Sequence, residues 1–178
     1  MNHFGFLAAI VSVIAFFTTN ALLRTHSCRV RWISLIAFTL LAIPSVWVAV
    51  YYVHILPEYA WFYTMRSWEG SEFLVLFLGC AAGVAATFSS RQGLWLLLFI
   101  VLAIGVLPYL KPVIAPIPDE LFKEKAKGEI CLQSTAATCG PSSVTTILRR
   151  LGRNASEKEI ARAAFTYAGG TEAWYLAR

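Results

Sequence analysis

Residues 4–23 read FGFLAAIVSVIAFFTTNALL, twenty positions without a charged side chain. A helix needs about 20 mostly apolar residues to cross the hydrocarbon core of a bilayer. This run fits, and three more follow. Residues 30–56 carry Arg31 near their start and are otherwise apolar, with Pro44 inside. A spanning helix tolerates such a proline, usually with a kink. Residues 73–88 form a shorter run, which 71–90 extends with mild polarity. Residues 94–110, LWLLLFIVLAIGVLPYL, are again uncharged. The expectation is a four-span transmembrane domain over 1–110. Its first run is read as a retained helix rather than a signal peptide, because no Lys or Arg precedes it and the run is long.

The composition of the whole 178-residue chain agrees: 58% of residues are hydrophobic and 14% charged, against about 25% charged in soluble domains. That excludes a disordered chain, a collagen-like chain and an ordinary soluble domain. The charges are unevenly placed. Residues 1–110 hold eight of them: Arg24, Arg29, Arg31, Glu58, Arg66, Glu69, Glu72 and Arg91. The other seventeen lie in 111–178, which therefore has ordinary soluble composition. The net charge of +5 is read as a topology signal, since Lys and Arg beside membrane spans set orientation. It is not read as a nucleic-acid signal.

Arg24, Arg29 and Arg31 follow the first run, and Arg91 lies between the third and fourth. Both loops are expected in the cytoplasm. Residues 57–72 hold one Arg and three Glu beside Tyr59, Trp61, Phe62, Tyr63 and Trp68, which suits an outer loop lying at the interface as an aromatic belt. The N-terminus and C-terminus are then both outside, although Lys111, Lys123, Lys125 and Lys127 weigh against this. Gly79 and Gly83 form a G-x-x-x-G face that lets another helix approach closely. It is read as packing inside the bundle rather than as a dimer contact.

His3, His26 and His54 are read as interfacial residues. His26 and Cys28 are too few for a zinc site, which takes three or four ligands, and no metal or cofactor is expected. Cys28, Cys80, Cys131 and Cys139 are too scattered for a disulfide framework. Cys28 and Cys80 are read as packing, as is Cys131, with a Cys131–Cys139 redox pair as the minor alternative.

Lys111-Pro112, Pro116 and Pro118 are expected to end the last span near Leu110 and to stiffen a linker over 111–128. Within it, residues 119–127 (DELFKEKAK) read as a short charged helix or a solvated stretch, with Asp119 and Lys123 four apart. Residues 129–178 hold clearer signals. Gly140-Pro141 opens a helix, with proline in the first turn where its missing N–H is harmless. Val144, Ile147, Leu148 and Leu151 give it one apolar face, and Gly152 stops it. Ser156-x-x-Glu159 is a capping box for a second helix carrying Ile160, Ala161, Ala164 and Phe165, expected to end at Gly169-Gly170. Thr171-Glu172 caps a third, with Trp174 and Leu176 inward.

Cys139 stands at the start of the first of these helices. Unpaired backbone N–H groups and the positive end of the dipole favour a thiolate there, and a thiolate is a competent nucleophile. Gly140 lets the backbone approach a substrate carbonyl. Gln133 lies six residues earlier, and a side-chain amide so placed can donate to the oxyanion of a tetrahedral intermediate.

Taken in order, Gln133, then Cys139-Gly140-Pro141, an apolar helix broken at Leu151-Gly152, a capped helix at Ser156-Glu157 and Gly170-Thr171 resemble the double-glycine peptidases. These are the bacteriocin-processing family thirty-nine of the cysteine peptidases. The resemblance covers residues 129–178. It implies a papain-like α+β fold, of which this stretch is the helical N-terminal portion, with Cys139 as nucleophile and Gln133 in the oxyanion hole. It also implies cleavage of peptides after a Gly-Gly leader site, often beside an ABC exporter.

Three features depart from the family. No His follows Cys139, whereas the family's catalytic His and its Asp lie well downstream. Without that base the chain as written is expected to be unable to complete catalysis, and it reads as the front of a longer protein. The peptidase segment follows the spans instead of preceding them. No Walker A motif is present, so export would need a separate protein.

The fold expected is therefore an α-helical membrane protein with four transmembrane helices, followed by the front of a papain-like domain over 129–178. The function expected is a membrane-anchored cysteine peptidase, inactive as given because the His/Asp part is missing, in a bacterial inner membrane with the peptidase segment outside. Its partners would be the lipid bilayer, a peptide or leader-peptide substrate and a separate exporter. The alternative is a non-catalytic, membrane-tethered leader-binding module. A small transporter subunit is the weakest reading, because no span carries an acid or Lys at its centre.

Overall fold

The computed structural model describes residues 2–52, 59–123 and 125–178, with the backbone alone of 49, 50 and 52. His54 lies outside the described residues. In chain order the elements are α1 (His3–Leu23), α2 (Cys28–Tyr52), α3 (Ala60–Ser67), a 3-10 turn (Ser71–Leu74) leading into α4 (Val75–Ala86), α5 (Arg91–Ile114) and a second 3-10 turn (Asp119–Leu121). Then follow β1 (Lys125–Lys127), β2 (Ile130–Leu132), α6 (Cys139–Arg150), α7 (Glu157–Ala163) and α8 (Ala173–Leu176). The chain divides into two compact units. One comprises Asn2–Tyr59 and Gly70–Tyr109, the other Ala60–Glu69 and Leu110–Arg178.

Among the described residues, three helices are long and apolar enough to cross a membrane: His3–Leu23, Cys28–Val48 within α2, and Arg91–Ile114. A fourth span is reached only if the broken pair Ala60–Ser67 and Ser71–Ala86 is taken as one. The protein is mostly helical and has the character of an integral membrane protein. The third apolar run is the one that falls short, because a 3-10 turn over Ser71–Leu74 takes its start and the α-helix runs only from Val75 to Ala86.

The first unit is built for an apolar solvent. Large apolar side chains such as Ile10, Ile14, Leu40, Leu96 and Phe99 are exposed, while Ala8, Phe16, Ala42, Val75, Leu78 and Ala82 form the inner cluster. Lipid tails are as apolar as leucine, so helix association rests on close packing and interhelical hydrogen bonds. Both are present between α1 and α4. A Cβ on Gly79 would strike the Ser12 carbonyl oxygen, and one on Gly83 would strike that of Phe16. Only glycine permits this approach. Ser12 Oγ donates to Val75 O at 2.8 Å, and Asn20 Nδ2 donates to Gly83 O at 3.0 Å. The G-x-x-x-G face is thus taken up by α1 of the same chain.

Asn2 caps α1 by accepting from Gly5 N at 2.9 Å, and its Nδ2 donates to Glu72 Oε1 at 3.2 Å. Arg31 Nη1 donates to Thr87 O at 3.3 Å, with its guanidinium 5.0 Å from the centre of the Phe88 ring. His26 Nδ1 lies 2.9 Å from Leu22 O, at the end of α1.

The proline signal near Leu110 misplaced the end of α5. The helix continues through Lys111 and Pro112 to Ile114. Proline removes its own N–H bond, but the Ala115 N–H donates to Lys111 O at 3.0 Å, so helical bonding resumes at once.

In the second unit, the described residues of 119–127 form no continuous helix but are solvated, all exposed except the half-buried Phe122. After the 3-10 turn, β1 pairs antiparallel with β2 in the register Lys125↔Leu132, Ala126↔Cys131 and Lys127↔Ile130. Asp119 does not pair with Lys123 but with Lys158 Nζ at 3.0 Å and with Arg162 Nη2, both from α7. These hydrogen bonds, first from Arg162 and then from Lys158, hold its carboxyl below the usual aspartate value. Arg162 Nη2 also donates to Ile117 O at 3.0 Å.

α6 stops as its sequence implies. Gly152 takes φ +72°, and the Gly152 and Arg153 N–H groups donate to Arg149 O and Leu148 O, each at 2.9 Å. This is a Schellman stop. The apolar row on α6 faces inward only in part: Val144 and Leu148 are half-buried, Ile147 and Leu151 are 56% and 71% exposed, and the buried residues are Pro141, Ser142 and Thr145. Small side chains fill that inner face, and Leu176 closes onto it at Gly140. The Ser156–Glu159 capping box forms in both directions, and the Ser156 N–H followed by its hydroxyl lowers the Glu159 carboxyl below its usual value.

α7 ends well before Gly169-Gly170. A second Schellman stop has Phe165 in its left-handed position, φ 53°, with Thr166 N donating to Ala161 O at 2.9 Å. The two glycines instead make a turn in which Tyr167 and Gly170 exchange backbone bonds. In α8, Trp174 is 1% exposed and Leu176 half-buried. The belt of residues 57–72 is partly a helix: Phe62 on α3 is buried against Trp174, with Arg66 stacked over the same indole, while Trp61 and Trp68 are exposed.

Candidate functional site

The loop that joins β2 to α6 begins at Gln133 and ends at Cys139. Two sets of hydrogen bonds shape it. Ser134 N donates to Glu157 Oε1 at 2.9 Å, and Ser134 Oγ donates to Glu157 Oε2. The same Ser134 hydroxyl accepts from Lys123 N at 3.0 Å. Further along, Thr138 is fully buried. Its Oγ1 accepts from Thr135 N and donates to Thr135 O, both at 3.0 Å. Ser and Thr side chains that bond nearby backbone in this way stabilise turns.

Cys139 is the first residue of α6 and is exposed. Thr138 occupies the N-cap position but makes no side-chain cap, since its hydroxyl is committed to Thr135. The first N–H groups of a helix have no intrahelical acceptor, so those of α6 remain available beside the thiol. Ser142 and Ser143 both donate their hydroxyls to Cys139 O, at 3.0 and 2.8 Å. Gly140 has a packing reason as well as the expected one: a Cβ there would lie 2.6 Å from Leu176 Cδ1.

Gln133 is exposed and has no hydrogen-bond partner among the described residues. The fold therefore sets Gln133 and Cys139 at the two ends of one braced loop, with no hydrogen bond between them. Beside the loop lies an open groove of about 210 Å³ with Pro116, Ile117, Pro118, Leu121, Ala136 and Ala137 among its walls.

Cys131 is buried, and its N–H donates to Thr146 Oγ1 at 3.0 Å. Thr146 is seven residues beyond Cys139, or about 10 Å along the helix axis. A disulfide would require β2 to slide toward the start of α6, and none of the four cysteines is bridged to another. His26 and Cys28 stand at helix ends in the other unit. Among the described residues no three His, Cys, Asp or Glu side chains gather as metal ligands.

Glu157 is the site residue that sequence reasoning passed over. Its partner lies 23 positions away, and no local pattern announces a contact of that kind. No family model, curated protein or solved structure matches the chain.

Proposed function

We propose that this chain supplies the nucleophile half of a membrane-anchored cysteine peptidase of the double-glycine type. One observation carries the reading: Cys139 is exposed as the first residue of α6, at the end of a hydrogen-bonded loop that starts at Gln133. The resemblance of residues 129–178 to the helical portion of a papain-like domain supports it. In this reading the Cys139 sulfur attacks the carbonyl carbon of the scissile bond, and the carbonyl oxygen takes up the negative charge. The Gln133 amide and the first N–H groups of α6 donate to that oxygen. Collapse expels the amine with a proton, and water then cleaves the thioester to release the acid and restore the thiol. No His follows Cys139 in this sequence, so the base must come from another segment or chain.

Arg24, Arg29, Arg31 and Arg91 favour a cytoplasmic side for the loops that carry them. With four spans this places both termini, and Cys139 with them, outside a bacterial inner membrane. The substrate would be a peptide with a Gly-Gly leader, handed on by a separate exporter.

The test is a thiol-directed probe bearing a Gly-Gly peptide, applied to the protein in detergent beside Cys139→Ala. Selective labelling of the unsubstituted protein at Cys139 is expected, and equal labelling of the two would refute the assignment. A second reading, a leader-binding module that does not cut, is favoured by the groove beside the loop. It requires Cys139→Ala to bind a Gly-Gly leader peptide while neither protein cleaves it.

A further inference from the structure

Glu157 is 0% exposed, yet it sits at the first position of a short surface helix. A carboxylate there interacts favourably with the helix dipole while still in water. The capping box needs only Ser156 and Glu159, and Glu159 remains exposed. Neither role accounts for the burial of Glu157. Burying a carboxylate is costly unless hydrogen bonds replace the lost water. Both of its oxygens are in fact engaged, and both by one residue, through Ser134 N and Ser134 Oγ.

We propose that Glu157 is a positioning residue of the candidate site, whose grip on Ser134 fixes the chain direction at Gln133 and so aims the Gln133 amide at the oxyanion formed beside Cys139. This rests on the peptidase reading above. The geometry favours it in three ways. Gln133 is the residue immediately before the gripped one. Ser134 is also held from the linker by Lys123 N, so its hydroxyl has little freedom to turn. The far end of the loop is locked separately by Thr135 and Thr138, so beyond the paired Leu132 the Gln133 end is held through Ser134, by Glu157 and Lys123 N. The carboxylate reaches the reaction only through Ser134 and Gln133 and touches no substrate itself.

The test uses a peptide aldehyde ending in Gly-Gly on the full chain in detergent. The Cys139 thiol adds across the aldehyde: the S–C bond forms, the C=O π bond opens, and the thiol proton ends on oxygen. No oxidant or reductant is needed. The resulting oxygen occupies the oxyanion position, whereas alkylation by iodoacetamide, which displaces iodide, makes no such oxygen. Aldehyde affinity is read as protection of the Cys139 peptide from iodoacetamide, by mass spectrometry.

Glu157→Gln and Ser134→Ala are each expected to weaken aldehyde binding about tenfold, within the coupling range for residues of one hydrogen-bond network. The iodoacetamide rate at Cys139 should stay within about twofold, because the thiol and α6 are not gripped by Glu157. The double variant Gln133→Ala/Glu157→Gln should bind no more weakly than Gln133→Ala alone. A merely structural Glu157 would lower both reactivities together, and its effect would add to that of Gln133→Ala. Either result overturns the proposal, as does unchanged aldehyde affinity in both Glu157→Gln and Ser134→Ala. If the unsubstituted protein shows no protection by the aldehyde, the peptidase reading itself fails and takes this inference with it.

Discussion

The indole of Trp174 meets the ring of Phe62 edge to face, with centroids 5.7 Å apart and planes at 83°. The two residues are 112 positions apart in a chain of 178, and each is only 1% exposed. The contact ties α3, which interrupts the apolar runs in the sequence, to the last helix. Trp174→Ala leaves a large void there and is expected to cost about 3 kcal/mol or more. Thermal unfolding in detergent followed by circular dichroism measures this. An unchanged midpoint would show that α3 and α8 do not support each other.

In the first unit the close approach of α1 and α4 should matter more than its hydrogen bonds. Gly79→Val drives a side chain into the Ser12 backbone and is expected to cost at least about 2 kcal/mol through overpacking. Ser12→Ala removes one interhelical hydrogen bond, for which about 0.6 kcal/mol is typical in membranes. Unfolding of both variants under identical detergent conditions gives the order. Greater damage from Ser12→Ala would contradict the packing described.

Ser156→Ala opens the capping box of α7 and should cost about 1 kcal/mol. Since Glu157 stands next in the chain, the same change should loosen the Ser134 grip. Hydrogen exchange at the Ser134 amide is expected to quicken along with that of Glu159.

The Asp119 carboxyl is held below its usual value by Arg162 and Lys158. A carboxyl with a lowered folded value stabilises the protein above its unfolded value, and the benefit is lost as pH falls through the folded one. The second unit should therefore lose stability below about pH 4, the unfolded carboxylate range. Asp119→Asn should flatten that part of the profile and leave the remainder intact. The change is expected to be small, because the pair is exposed and screened by solvent.

A reporter active only in the cytoplasm, fused after Arg178, checks the orientation. It is expected to stay silent. Strong activity would place the Cys139 loop on the cytoplasmic side and favour an odd number of spans.

Features written in short stretches were legible in the sequence. The apolar run of α1, the Gly-Pro start of α6, the Gly152 stop and the Ser156–Glu159 box are each complete within a few residues, so local reading finds them. Gly79 and Gly83 were legible too, because spacing alone puts them on one face. The hairpin was not: strands of three residues are too short to show an alternating period. The apolar row at Ile147 and Leu151 has a true helical period, but period does not tell inward from outward. Asp119 and Glu157 find their partners 39 to 43 and 23 residues away, and no window of sequence contains such a pair. At the site, Cys139 and its helix could be read from the chain, whereas the bracing of its loop could not.

Phe165 ends α7 with a left-handed backbone, at φ 53°, where glycine would be free of the 1–2 kcal/mol or so that a side chain incurs. Its ring lies 4.9 Å from that of Tyr175. The strain at one position is thus offset by a contact at another, which makes the two a linked pair in any sequence comparison. Where a related chain has glycine at the first, the second is released from being aromatic, and the two positions should vary together.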